Sequence, residues 1–154
     1  METCLESARK WLETSGFGEI ESCFIQKYDG MAVVNFAAVQ NHVLLYPDQV
    51  KVQVSMETGK VVGAECSQYL MNHTERTMLD PVVSEEDARE MLSNRLDVDA
   101  SRLCVIPIDE GEKLCWEFQG RFAGARYYAY VDAINGEAEK ILRVEQTPDG
   151  ETAI

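Results

Sequence analysis

Two stretches of this chain follow the same plan some 77 residues apart: "YPDQVKVQVSMETGKVVG" at 46–63 and "YYAYVDAINGEAEKIL" at 127–142. In the first, Val50, Val52 and Val54 alternate with polar residues, Thr58-Gly59 turns the chain, and a second apolar run begins at Val61. Alternation with a period of two is the mark of a half-buried strand, and a Gly-containing turn between two such runs predicts a hairpin. Asn135-Gly136 occupies the same place in the second stretch. A chain that repeats a hairpin in this way is constrained to repeat the unit around it.

The repeat extends upstream in both copies. Each unit opens with a helical pattern: Leu5, Ala8, Trp11 and Leu12 share one face at 3.6-residue spacing, as do Ala88, Met91, Leu92 and Leu96. Thr3 with Glu6 reads as a capping box, Ser84 with Asp87 as a weaker one, and Val83 is placed to staple onto Ala88. Gly16 and Gly18 are placed to end the first helix. Strands follow. "IESCFIQK" and "MAVVNFAAV" flank Asp29-Gly30, while "RLCVIPI" and "KLCWEFQG" flank Asp109-Glu110-Gly111-Glu112. In "KLCWEFQG", Leu114, Trp116 and Phe118 alternate with Lys113, Cys115, Glu117 and Gln119, which predicts one buried and one wet face. The helices agree at an offset of 80 (Ala8, Ala88) and the hairpins at 77 (Gly59, Gly136), a slack that loops absorb. The largest mismatch is "AAVQNHVLLYP" against "QGRFAGAR", where His42 to Tyr46 could lengthen a strand.

The expected organisation is therefore an α+β fold of two tandem units, 3–70 and 83–147, each a helix packed on a roughly four-stranded antiparallel sheet. A polar connector, 71–82, joins them and a tail, 148–154, follows. Antiparallel order follows because the connections are too short for crossover helices. A unit of this size has a marginal core, so loss of Trp11 or Trp116 should be felt by its whole unit.

At this point the residues resemble a known family. "SEEDAREML" heading a helix and "YYAYVDAINGE" forming a closing hairpin resemble the PepSY domain, twice over and in phase. "YPDQVKVQVSMETGKVVGAE" and the terminal "ILRVEQTPDGE" are similar to the C-terminal part of YpeB-type spore germination proteins. The resemblance implies no catalytic activity, and the residues themselves offer no assembled cofactor or metal site. It implies a protein partner, a cortex-lytic peptidoglycan hydrolase, with each needed for the other to persist in the dormant spore. It implies a location outside the spore inner membrane, on the cortex side, through an N-terminal anchor upstream of these residues. PepSY modules also occur in protease propeptides, so an inhibitory or ligand-binding role is the alternative.

Composition narrows the other classes. Acidic residues number 27 against 14 basic, a net charge of −13, which argues against nucleic acid and anionic membrane surfaces as partners. No apolar run reaches the roughly 20 residues of a membrane span, and "METCLESARKWLETSG" lacks the layout of a signal peptide, so any targeting part lies outside this chain. The five cysteines, Cys4, Cys23, Cys66, Cys104 and Cys115, show no C-x-x-C spacing. Cys104 and Cys115 fall on neighbouring expected strands where they could meet; free, semi-buried thiols are the favoured reading.

The catalytic patterns are weak. Two histidines, His42 and His73, rule out a three-His zinc site, and there is no H-E-x-x-H, no G-x-S-x-G and no Gly-rich phosphate loop. His73-Thr74-Glu75 has a conceivable ligand spacing, but its polar connector reads as surface. Glu85, Glu86 and Asp87 could serve as paired carboxylates; in the first turn of a helix they complement the macrodipole instead. Asp132, Asn135 and Gly136 suggest calcium ligands only faintly, and a hairpin turn accounts for them. Arg121 and Arg126 in "GRFAGAR" could form a local basic patch, with loop solvation as the plainer reading.

Overall fold

The computed structural model describes residues 1–148 and 150–153. Two compact units emerge: the first is Met1–Gln40, Leu45–Glu75 and Thr147–Glu151, and the second is chiefly Arg76–Gln146.

In the first unit α1 (Glu2–Thr14) is followed by β1 (Ile20–Tyr28), β2 (Met31–Gln40), β3 (Val43–Ser55) and β4 (Val61–Glu65), and then by a short α2 (Ser67–Asn72). Consecutive strands pair, and the resolved registers are antiparallel, from Tyr28↔Met31 in the first hairpin to Lys51↔Glu65 in the last. α1 lays Cys4, Ala8 and Leu12 onto Ala32, Val34 and Phe36 of β2 and onto Val50, Val52 and Val54 of β3, all buried. The alternation in β3 thus does what it predicts. The helix ends as its glycine suggests: the Ser15 N–H bonds back to Trp11 and Leu12, and Gly16 takes a left-handed φ of 82°.

The second unit repeats the order with α3 (Glu85–Glu90), β5 (Asp97–Pro107), β6 (Glu112–Phe122), β7 (Ala125–Asp132) and β8 (Ala138–Thr147). Its strands also form an antiparallel meander. Ser84 caps α3, its hydroxyl accepting the Asp87 N–H at 3.1 Å. Ala88, Phe118 and Val131 form the buried centre, with Val83, Leu92, Val98 and Trp116 packed around it, and the Trp116 indole donates to the Val83 carbonyl at 2.9 Å.

The closing hairpins are the same device. Gly59 N–H bonds to Ser55 O at 2.8 Å and Gly136 N–H to Asp132 O at 2.9 Å, both glycines with left-handed φ, 66° and 78°. A Cβ at Gly59 would meet Thr3 and one at Gly136 would meet Val83, residues separated by the same offset of 80 that relates the helices. Hairpin and helix start are therefore in register in both copies.

Several expectations are corrected. Thr3 does not cap α1: the cap position is Met1, two residues earlier, with Leu5 N–H bonded to Met1 O and no side-chain cap, and Thr3 faces the Gly59 turn. The second helix stops at Glu90, short of Met91, Leu92 and Leu96, because Ser93 captures the chain: its hydroxyl accepts the Arg95 N–H and its carbonyl the Leu96 N–H. The face of β6 expected to be wet is largely not, since Cys115 and Glu117 are fully buried. The segment 120–126 is not a loop but a tight hairpin through Ala123-Gly124, and Asn41-His42 makes another; the central residues of each have positive φ. The tail is a strand, β9 (Gly150–Ala153), whose Gly150 pairs with Gln26 of β1. Asp149 and Ile154 of the expected tail lie outside the described residues.

Candidate functional site

Among the described residues, three clusters bear on the candidate side chains. The first joins α2 to β3. Asp48 shares strand parity with Val50, Val52 and Val54 and is fully buried, and its Oδ2 lies 2.7 Å from Nδ1 of His73. The His73 ring, 38% exposed, stacks on Tyr69 at 4.3 Å, and Tyr69 meets Phe17 edge-on at 4.9 Å. Asn72 donates to the Pro47 carbonyl beside it. His73 is thus not the free surface residue its polar connector suggests. It holds a buried carboxylate and occupies one ring face with an aromatic partner, an arrangement that docks α2 onto the sheet.

The second cluster lies on the face of β6 away from α3. Glu117 is fully buried, and its two oxygens accept from Arg102 Nε at 2.8 Å, Gln119 Nε2 at 2.9 Å and Tyr130 Oη at 2.8 Å. Gln119 in turn accepts from Arg126, which also lies over the Tyr128 ring. Three donors occupy this carboxylate, and those contacts leave little of it to engage a substrate. Arg121 and Arg126 are cross-strand partners, but Arg126 is drawn into this network and Arg121 stays exposed, so the expected basic patch is divided.

The third cluster is Lys113 with Glu139 at 2.7 Å and Asp132 at 3.5 Å. The Glu139 hydrogen bond raises the Lys113 pKa. Asp132 spends its Oδ1 on the Ile134 and Asn135 N–H groups, so the turn and not a calcium loop uses it.

The thiols are unreactive where they are buried. Cys104 and Cys115 are directly opposite in the β5–β6 register. Burial pushes the Cys104 thiol well above its ordinary value, with the Glu117 charge adding to it. Burial, then the charges of Asp132 and Glu139, push Cys115 up to about 12. A thiol held protonated is a poor nucleophile and a poor metal ligand. All five cysteines are free. Glu85 accepts from the Ser101 hydroxyl at 2.5 Å in the first turn of α3, and Glu86 and Asp87 lie on that same turn behind the Ser84 cap. His42 sits exposed in its two-residue hairpin.

Sequence reasoning missed Asp48 and Glu117. Asp48 was findable, because parity in β3 points it inward. Glu117 carried no such signal, since its parity is that of the face expected to be wet.

Comparison with known proteins is consistent with this picture. Residues 1–79 match the family described as "YpeB sporulation, PepSY1 and PepSY2 domains", and residues 82–142 match "Peptidase propeptide and YPEB domain". The chain is 33% identical over 140 residues to the sporulation protein YpeB of Halalkalibacterium halodurans, covering 90% of this chain and 31% of that one. It is 30% identical over 141 residues to YpeB of Oceanobacillus iheyensis, covering 91% and 32%. It therefore spans about a third of the length of the curated relatives it matches. Among solved structures, the Bacillus megaterium YpeB C-terminal domain superposes with a TM-score of 0.84 at 30% identity, covering 94% of this chain and 65% of that one.

Proposed function

Because this chain belongs to the PepSY-domain family of YpeB sporulation proteins, we propose that it is a non-catalytic binding module that holds and restrains a cortex-lytic peptidoglycan hydrolase. The observation that carries the reading is the use made of its interior polar groups. Glu117 is taken up by three donors, Asp48 by His73, and Asp132 by turn amides, while Cys104 and Cys115 are held as thiols. Side chains so engaged build structure and leave surface for recognition. On this reading the module works outside the spore inner membrane, on the cortex side, tethered by an anchor elsewhere in the protein.

The test is direct binding of this chain to the purified hydrolase by calorimetry. Saturable binding is expected. No binding at concentrations on the order of tens of micromolar removes the proposal for these residues. A second reading, inhibition of a protease, is favoured by the match of residues 82–142 to a peptidase propeptide family. A panel of proteases assayed with and without the chain separates the two, since dose-dependent loss of peptide cleavage belongs only to the second.

A further inference from the structure

The two helices leave different amounts of sheet uncovered. α1 has 13 residues and α3 has six; at 1.5 Å per residue they cover about 20 Å and about 9 Å. Leu12 and Leu92 are equivalent at the helix offset, and Val50 and Tyr127 at the hairpin offset. Leu12 and Val50 are fully buried, whereas Leu92 and Tyr127 border an open groove of about 410 Å³. Leu96, Phe122 and Ile141 complete its apolar wall, with Phe122 43% and Ile141 60% exposed. The groove thus lies where the first unit carries one more helical turn, Trp11 to Thr14, and the second unit carries the Ser93 turn instead.

Charge says what fits there. In a chain of net charge −13, the charged residue lining the groove is a cation, Arg95. Arg143 lies opposite Tyr127 in the β7–β8 register, hence on the same face of the sheet, with the Glu145 carboxylate 4.0 Å from it, so Arg95 carries the charge argument. The volume suits a few side chains and falls at the low end of the roughly 300–1,000 Å³ range of ligand pockets. We propose that this groove receives an amphipathic helical segment of the hydrolase, which seats two large apolar side chains one turn apart on Leu92, Tyr127 and Ile141 and directs a carboxylate to Arg95. This is the helix-in-groove mode, with the partner supplying the turn that α3 lacks.

The inference rests on the binding-module reading above, and its test separates the two. The purified hydrolase is titrated against wild type, Ile141→Asp, Arg95→Glu and, as a control on the other unit, Val62→Asp, a residue 58% exposed on β4. Ile141→Asp is expected to weaken binding at least about tenfold, because it puts a charge into an apolar contact. Arg95→Glu is expected to weaken it several-fold, by less as salt is raised, and Val62→Asp not at all. Melting curves check that all three variants fold. Hydrolase binding that survives both Ile141→Asp and Arg95→Glu overturns the groove and leaves the binding-module reading standing. Failure of wild type to bind overturns both.

Discussion

The two units share a plan but not a way of stabilising it. In the first, a 13-residue helix and its sheet face share a buried cluster of nine residues; in the second, a six-residue helix packs on a smaller cluster around Ala88, Phe118 and Val131 among the described residues. Both units bury a carboxylate: the first holds Asp48 against His73, and the second gathers donors around Glu117 on its other face, together with the thiols of Cys104 and Cys115. What the copies keep is the set of turns and the contact between hairpin glycine and helix start. A repeat of this kind is held by backbone geometry that few residues satisfy, while its core tolerates substitution as long as enough area is buried.

Deleting the largest buried ring of each core should break the comparison most sharply. Phe36→Ala should cost about 4–5 kcal/mol, whereas Phe118→Ala should cost about 3, because Phe118 packs near Leu92 at the edge of an open groove and its site can collapse. Denaturant unfolding of both variants reads the difference; equal losses would mean the second core is as closed as the first. Glu117→Ala should cost about 3 kcal/mol by removing the carboxylate that Arg102 and the Tyr130 hydroxyl donate to, and Glu117→Gln, which keeps hydrogen-bonding capacity, should cost less.

Alkaline stability should separate the units too. The folded chain holds protons on Cys104 and Cys115 above the ordinary thiol range, so between about pH 9 and 12 the unfolded state binds fewer protons than the folded one. Stability is therefore present below pH 9 and is lost as pH rises, by up to about 1.4 kcal/mol per pH unit for each thiol. Cys115→Val should flatten that slope in a series of denaturant titrations; an unchanged slope would remove the thiols as its cause.

Gly59→Val and Gly136→Val should each cost about 1–3 kcal/mol, and by similar amounts, since both force a β-branched residue to positive φ against the start of a helix. A large inequality would break the equivalence of the two hairpins. The smallest contrast lies at the caps: Ser84→Ala should cost about 1 kcal/mol and Thr3→Ala less than about 0.5, because only Ser84 bonds the helix it precedes. Thermal melts of the pair resolve it.

How much of this was legible varies by residue type. Asp29-Gly30, Thr58-Gly59 and Asn135-Gly136 announced their turns because glycine is the common residue at positive φ. Asn41-His42 and Ala123-Gly124 did not, since His and Ala enter that region only when the strands on either side require it. Ser84 read correctly and Thr3 did not, because a cap depends on where the helix starts, and Thr3 found a packing role against Gly59 instead. The groove was invisible in "SEEDAREML": Met91, Leu92 and Leu96 continue the helical spacing, and only the competing bonds of Ser93 stop the helix.

The amino-acid order alone determined the duplication, the order of one helix and four strands in each copy and the antiparallel connections, though not α2 or β9, because periodicity and turn chemistry act over a few neighbouring residues. Which face of β6 is dry, which carboxylates are held and by whom, and where one helix leaves its sheet bare were decided only in three dimensions. Burial and pairing join residues far apart along the chain, such as Asp48 with His73 and Glu117 with Arg102, and no local pattern records them.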